Sequence, residues 1–118
     1  MNFKNSTIYL ILDDSGSMRE WGKMQAGIHL ARTLKQACAL LGCACQTLTL
    51  NQTPPNLELS ILISDGLFEK PDFKVCACIA VGVDANKECL NQISQACYEP
   101  EHTLNALNHV LLKAGFLR

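Results

Sequence analysis

The segment that most restricts what this chain can become is Thr7-Ile8-Tyr9-Leu10-Ile11-Leu12-Asp13. It is a near-continuous apolar run, rich in β formers, that stops at a carboxylate. A strand buried on both faces of a parallel sheet has this appearance. The next four residues, Asp14-Ser15-Gly16-Ser17, carry turn and cap chemistry. Such a strand needs cover above and below it, so these few residues already point to layered α/β architecture. The chain has 118 residues, enough for one domain over 1–118 with a core that needs no staples.

The remainder alternates in the same sense. Trp21, Met24, Ile28, Ala31, Leu34, Cys38 and Leu41 recur at spacings of three and four, which predicts a long helix closed by Gly42. Residues 43–50 read as a second strand, Asn51 to Asn56 as an extended polar linker, and Leu57 to Ser64 as a third strand ending in Asp65-Gly66. A short irregular stretch with Pro71 leads to a strand from Val75 to Val83. Asp84 is placed to cap a helix over 85–96, whose stripe is Cys89, Ile93 and Ala96. Cys97-Tyr98-Glu99 fits a very short last strand. Pro100 suits the first turn of a closing helix with Leu104, Leu107, Leu111 and Ala114 on one face. The expected fold is a three-layer αβα, Rossmann-like sandwich with a mostly parallel central sheet.

Charge and composition remove several classes of function. The formal net charge is −1 and the ten Lys and Arg residues are scattered, unlike the basic stripe of nucleic-acid or membrane-surface binders. The apolar run Ile8 to Leu12 is too short for a signal-peptide core or a membrane span, so a cytoplasmic location is expected. Seven cysteines, an odd number with no C-x-x-C pair, argue against a disulfide framework. Cys43 and Cys45, like Cys76 and Cys78, share a face of their strands. Those strands are not expected to be neighbours, so the thiols read as small buried hydrophobes.

Chemistry concentrates at two strand ends: Asp13-Asp14-Ser15-Gly16-Ser17 and Ser64-Asp65-Gly66. Ligands of open α/β sheets bind at carboxyl ends, where neighbouring strands send their chains to opposite sides. Carboxylates and hydroxyls there are hard oxygen donors suited to Mg²⁺. A helix beginning at Ser17 would by itself favour an anion, and two acidic residues beside it call for a cation.

These residues carry a resemblance. "LILDDSGSM" resembles the D-x-S-x-S motif of von Willebrand factor A domains, and "ILISDG" is similar to the later strand-plus-Asp-Gly element of that family. "IAVGVDANKECLNQISQACYEPEHTLNAL" resembles its closing strand, helix, strand and helix. The resemblance implies a metal-ion-dependent adhesion site with Asp13, Ser15, Ser17 and Asp65 as its metal-binding residues. Ser15 and Ser17 would touch the metal directly, and Asp13 and Asp65 would hold metal-bound waters. The implied metal is Mg²⁺, with Mn²⁺ or Ca²⁺ as alternatives. A carboxylate from a protein partner would complete the shell, and intracellular bacterial relatives imply an adaptor role beside AAA+ ATPases or in multi-protein assemblies.

The chain departs from the family pattern in length. Only residues 18–64, 47 in number, separate Ser17 from Asp65. The shortening removes an edge strand, a helix and the threonine that supplies a third hydroxyl, and Thr53 is the one threonine placed to substitute. Residues 51–57 must cross between parallel strands without a helix, reaching at most about 23 Å when extended. The tandem prolines favour that form. The expectation is a pared-down sheet with a bare crossing.

Two other readings compete. A metal-free scaffold would use the same Asp, Ser and Gly as an ordinary capped turn. A haloacid-dehalogenase-type phosphatase would need an acid–base aspartate where Ser15 stands. No G-x-S-x-G elbow is present, and His29, His102 and His109 fall on or beside expected surface helices. The chain is therefore read as a non-enzymatic binding module.

Overall fold

A computed structural model describes residues 6–68 and 71–115. Five strands form one sheet: β1 (Thr7–Leu12), β2 (Ala44–Leu48), β3 (Ser60–Ser64), β4 (Val75–Ala80) and β5 (Ser94–Tyr98). Their spatial order is β2-β1-β3-β4-β5, and every neighbouring pair is parallel. Three helices follow the strands in sequence: α1 (Lys23–Leu41), α2 (Lys87–Gln92) and α3 (Thr103–Lys113).

Alternation along each strand sorts the core into two halves. Ile8, Leu10, Ile61, Ile63, Ala77 and Ile79 face Leu30, Leu34 and Cys38 of α1 and Leu107, Val110 and Leu111 of α3. Ile11, Leu62, Cys78 and Ala80 face the opposite layer with Leu90 of α2. That second layer is thin. It is completed by loop side chains, Leu50, Phe68, Phe73 and Ala85, where a fuller domain would place helices. The α/β sandwich is the expected one, with a sheet that is parallel throughout.

The crossing from β2 to β3 is bare of α-helix, as expected. Residues 49–59 carry only one 3₁₀ turn, Leu57–Leu59, capped by the Asn56 side chain on the Glu58 amide. Pro54 is buried within it and Thr53 is exposed. β2 and β4 are separated by β1 and β3, so the two cysteine pairs stay apart. Five of the seven thiols are buried; Cys45 and Cys97 are half-buried. Burial pushes the Cys78 thiol up to about 12, consistent with an inert core residue.

Several local expectations are corrected. Ser17 does not start the long helix. It lies inside a single 3₁₀ turn, Gly16–Arg19, and α1 begins at Lys23 after Trp21 and Gly22 take left-handed backbone. That detour rotates the helix, so its buried face is Lys23, Gly27, Leu30, Ala31, Leu34 and Cys38, while Trp21, Ile28 and Leu41 are exposed. Gly42 does close α1, left-handed at φ 79° with its amide on the Ala39 and Cys38 carbonyls. Asn86, not Asp84, caps α2 through the Cys89 amide. α2 ends at Gln92, so Ile93 and Ala96 leave the helix and β5 grows to five residues. In α3, Leu104 is exposed and Thr103, Ala106 and Val110 join Leu107 and Leu111 inside.

Candidate metal centre

The strand order makes the gap between β1 and β3 the switch point. β1 hands its chain through α1 to β2 on one side, and β3 passes its chain to β4 on the other. A ligand crevice belongs at the carboxyl end of that pair. All four expected site residues lie there.

Asp13 is the first residue past β1 and is fully buried. Its amide donates to the Ile63 carbonyl at 3.0 Å, which carries the β1–β3 pairing up to the crevice. Its Oδ1 accepts the Ser15 amide at 2.8 Å, an Asx-type turn that fixes the loop. Its Oδ2 accepts the Ser64 hydroxyl at 2.6 Å. Ser64 in turn accepts the Gly66 amide at 2.9 Å. Among the described residues, no Lys, Arg or His pairs with Asp13.

Asp65 stands one residue past β3 and is also fully buried. Its Oδ1 accepts the Leu67 amide at 3.0 Å, and its carbonyl takes the Asn86 amide at 2.7 Å. Gly66 must be glycine here: its φ is +71°, and a Cβ would lie 2.6 Å from the Asn86 carbonyl oxygen. The other oxygen, Oδ2, meets the Lys23 ammonium at 3.1 Å. Lys23 is 2% exposed and reaches on to Asp84 Oδ1 at 2.8 Å. The Asp84 hydrogen bond raises the lysine pKa, against the pull of burial and with help from Asp65. The same contact holds the Asp84 carboxyl below its ordinary value. One ammonium thus ties the start of α1 to the loops after β3 and β4.

The hydroxyls complete the crevice. Ser15 Oγ and Ser17 Oγ are 3.4 Å apart, and Ser17 also donates to the Leu67 carbonyl at 3.3 Å. Asp14 is exposed and has no part in this network. Thr53, the expected third hydroxyl, hydrogen-bonds to none of these residues among those described.

The donor set fits a hard cation. Adjacent oxygens of a Mg²⁺ octahedron are about 3.0 Å apart, given Mg–O near 2.1 Å, while Ca²⁺ at about 2.4 Å spreads them to about 3.4 Å. The serine pair, 3.4 Å apart, stands at the Ca²⁺ end of this range, and Mg²⁺ would draw the two oxygens about 0.4 Å closer. Each Asp13 oxygen accepts one hydrogen bond and keeps a lone pair for a metal-bound water. No cluster of three His, Cys, Asp or Glu side chains occurs among the described residues; a serine-based site does not require one.

Three participants were not assigned from the sequence: Lys23, Ser64 and Asp84. Ser64 stands inside a motif that drew attention for its aspartate. Lys23 is hidden because a charged residue at the start of an amphipathic helix ordinarily faces water. Its spacing to Gly27 and Leu30 is the one available clue. The histidines lie elsewhere. His29 and His102 are exposed, whereas His109, expected on the surface, is half-buried edge-to-face on Tyr98, with Nε2 unpartnered among the described residues.

No known protein family, no characterised protein and no solved structure matches the chain. Among the described residues, no helix is long and apolar enough to cross a membrane.

Proposed function

We propose that this chain is a von Willebrand factor A-type interaction module that grips a carboxylate of a protein partner through a bound Mg²⁺. One observation carries the reading. Asp13 is a fully buried carboxylate without a counter-ion among the described residues, bonded to the Ser15 amide in the loop that carries both serine hydroxyls at the switch point of the sheet. An unpaired buried charge is costly, and a cation at the hydroxyls offsets it. Following the resemblance, Ser15 and Ser17 ligate directly, and Asp13 and Asp65 act through waters. The metal supplies positive charge for a partner's carboxylate. The protein's own contribution is to hold its donors still: Ser64 orients Asp13, and Lys23 with the Leu67 amide orients Asp65. Ser15 stands where a phosphatase of the haloacid-dehalogenase type needs an acid–base aspartate, which supports reading the module as a binding one. Its partner is of the adaptor or assembly kind, an AAA+ ATPase among the candidates.

A metal-free scaffold is the second reading, and Lys23 favours it, because an ammonium already sits on Asp65. Paramagnetic broadening by Mn²⁺ in amide NMR spectra separates the two. The metal reading expects selective loss of the Ser15, Gly16, Ser17 and Leu67 amides in the natural chain, reversed by excess Mg²⁺. The Ser15→Ala/Ser17→Ala variant should lose none of them. Uniform or absent broadening would favour the scaffold.

A further inference from the structure

The end of α1 brings its last buried thiol back against the edge of the sheet. Gly42 turns left-handed and its amide donates to the Ala39 carbonyl at 3.1 Å, while the Cys43 amide donates to the Cys38 carbonyl at 3.0 Å. The chain then re-enters the sheet as β2. Cys38, fully buried, and Cys45, half-buried on β2, belong to the same core layer, and their thiols are hydrogen-bonded to one another. β2 is an outer strand paired with β1 alone, and Ala44 and Gln46 on either side of Cys45 are exposed. Small solutes can therefore approach this thiol pair from the open edge.

Two other thiols serve as comparisons. Cys43 also touches Cys38, but it is buried and gives its thiol hydrogen to the Cys38 carbonyl at 3.5 Å. Cys97 is half-buried like Cys45, yet no thiol hydrogen-bonds to it among the described residues, and burial pushes its pKa up. At Cys45 the Cys38 hydrogen bond holds the pKa below its ordinary value against the push of burial, with help from the Lys35 ammonium. A cysteine reacts as its thiolate, and its oxidation follows thiolate character and exposure. Cys45 is the thiol best placed to react first, and Cys38 is the one placed to answer it.

We propose that Cys45 is a peroxide-reactive thiol and that Cys38 closes on it in an internal disulfide joining α1 to β2. This modification site is independent of the metal reading above. The Cys45 thiolate attacks one oxygen of hydrogen peroxide; an S–O bond forms, the O–O bond breaks, and the departing hydroxide takes up a proton as water. The sulfur is oxidised to a sulfenic acid and the peroxide is reduced. The Cys38 sulfur then attacks the Cys45 sulfur; the S–S bond forms, the S–O bond breaks, and the hydroxide leaves as water with the Cys38 proton. Two thiols and one peroxide thus give one disulfide and two waters. A dithiol reverses the step by exchange, returning a hydrogen to each cysteine and becoming a disulfide itself.

The test treats the reduced, folded chain with equimolar hydrogen peroxide and follows its mass. The natural chain should become lighter by two hydrogen atoms while staying a single chain, and dithiothreitol should restore the mass. Cys43→Ser should do the same, whereas Cys38→Ser and Cys45→Ser should not lose those atoms. In Cys38→Ser, dimedone should trap a sulfenic acid on Cys45 about tenfold faster than on Cys97. A disulfide that survives Cys45→Ser but not Cys43→Ser belongs to Cys43 and overturns the proposal. So does a link between two chains, equal dimedone labelling of Cys45 and Cys97, or a natural chain that keeps its hydrogens. If a variant fails to fold by circular dichroism, fragmentation of chymotryptic peptides from the oxidised natural chain decides: Cys38 must be linked to Cys45, and any other link contradicts the assignment.

Discussion

Lys23 carries more consequence than any other single side chain. Its ammonium is the sole charge partner, among the described residues, of a fully buried carboxylate, and it pins Asp84 as well. Replacing it by Met leaves Asp65 buried and uncompensated, and breaking a buried pair in this way costs about 3 kcal/mol. Urea unfolding should show that loss at neutral pH, and Lys23→Met/Asp65→Asn should recover a large part of it. The pH limits follow from the directions of the shifts. Asp84 is held below its ordinary 3.8 by Lys23, so its share of stability is present above that value and is lost as pH falls through the folded value. Lys23 is raised above its ordinary 10.5, so its share is present below 10.5 and is lost as pH climbs through the folded value. Lys23→Met should flatten both limbs. His109 runs the other way from Lys23. Burial, then Lys113, lowers its pKa below 6.5, so the folded state resists protonation and stability falls as pH drops below 6.5. His109→Phe, keeping a ring on Tyr98, should shrink the fall in melting temperature between pH 7 and pH 5. An unchanged fall would mean that His109 is not the group responsible.

The elements show what was legible in the sequence and what was not. Strands buried on both faces announce themselves, because Ile8–Leu12, Ile61–Ile63 and Val75–Val81 are apolar runs, although the third strand begins at Ser60 rather than Leu57. The parallel sheet and the position of Asp13 and Asp65 followed from them. The helices were legible in existence but not in phase. Glu20-Trp21-Gly22 looked like helix by spacing, and only tertiary structure places two left-handed residues there and turns Lys23 inward. Likewise Asp84 had the chemistry of a cap, but a buried ammonium 2.8 Å away is the stronger partner, and Asn86 two residues on took the cap. The loop after β3 has the least freedom. Gly66→Ala places a Cβ against the Asn86 carbonyl at a positive φ, so the loop must open or the residue strain. A loss of about 2 kcal/mol or more is expected in chemical unfolding. By contrast, Gly27→Ala meets side-chain atoms, the nearest Leu12 Cδ1 at 2.9 Å, and should cost less. If the two substitutions cost the same, the rigid loop assigned to Asp65 is wrong.

For the molecule as a whole, the sheet is complete enough to build a switch point and thin enough to leave one layer to loops. α2 has six residues, and the crossing from β2 to β3 has no α-helix. The two layers do different work. α1 and α3 cover one face of the sheet with buried aliphatic side chains, while the loops above β1, β3 and β4 gather charges and hydroxyls at one end. A stable half supports a chemically loaded end. The central claim is that this end holds a divalent cation, and thermal unfolding tests it most directly. The natural chain and Ser15→Ala/Ser17→Ala would be melted in excess EDTA and in millimolar Mg²⁺. A ligand at 100 times its dissociation constant adds about 2.7 kcal/mol, on the order of 10 °C for a domain of this size. The account predicts a rise of that order for the natural chain and none for the double variant. Identical melting temperatures with EDTA and with Mg²⁺ in the natural chain would contradict it.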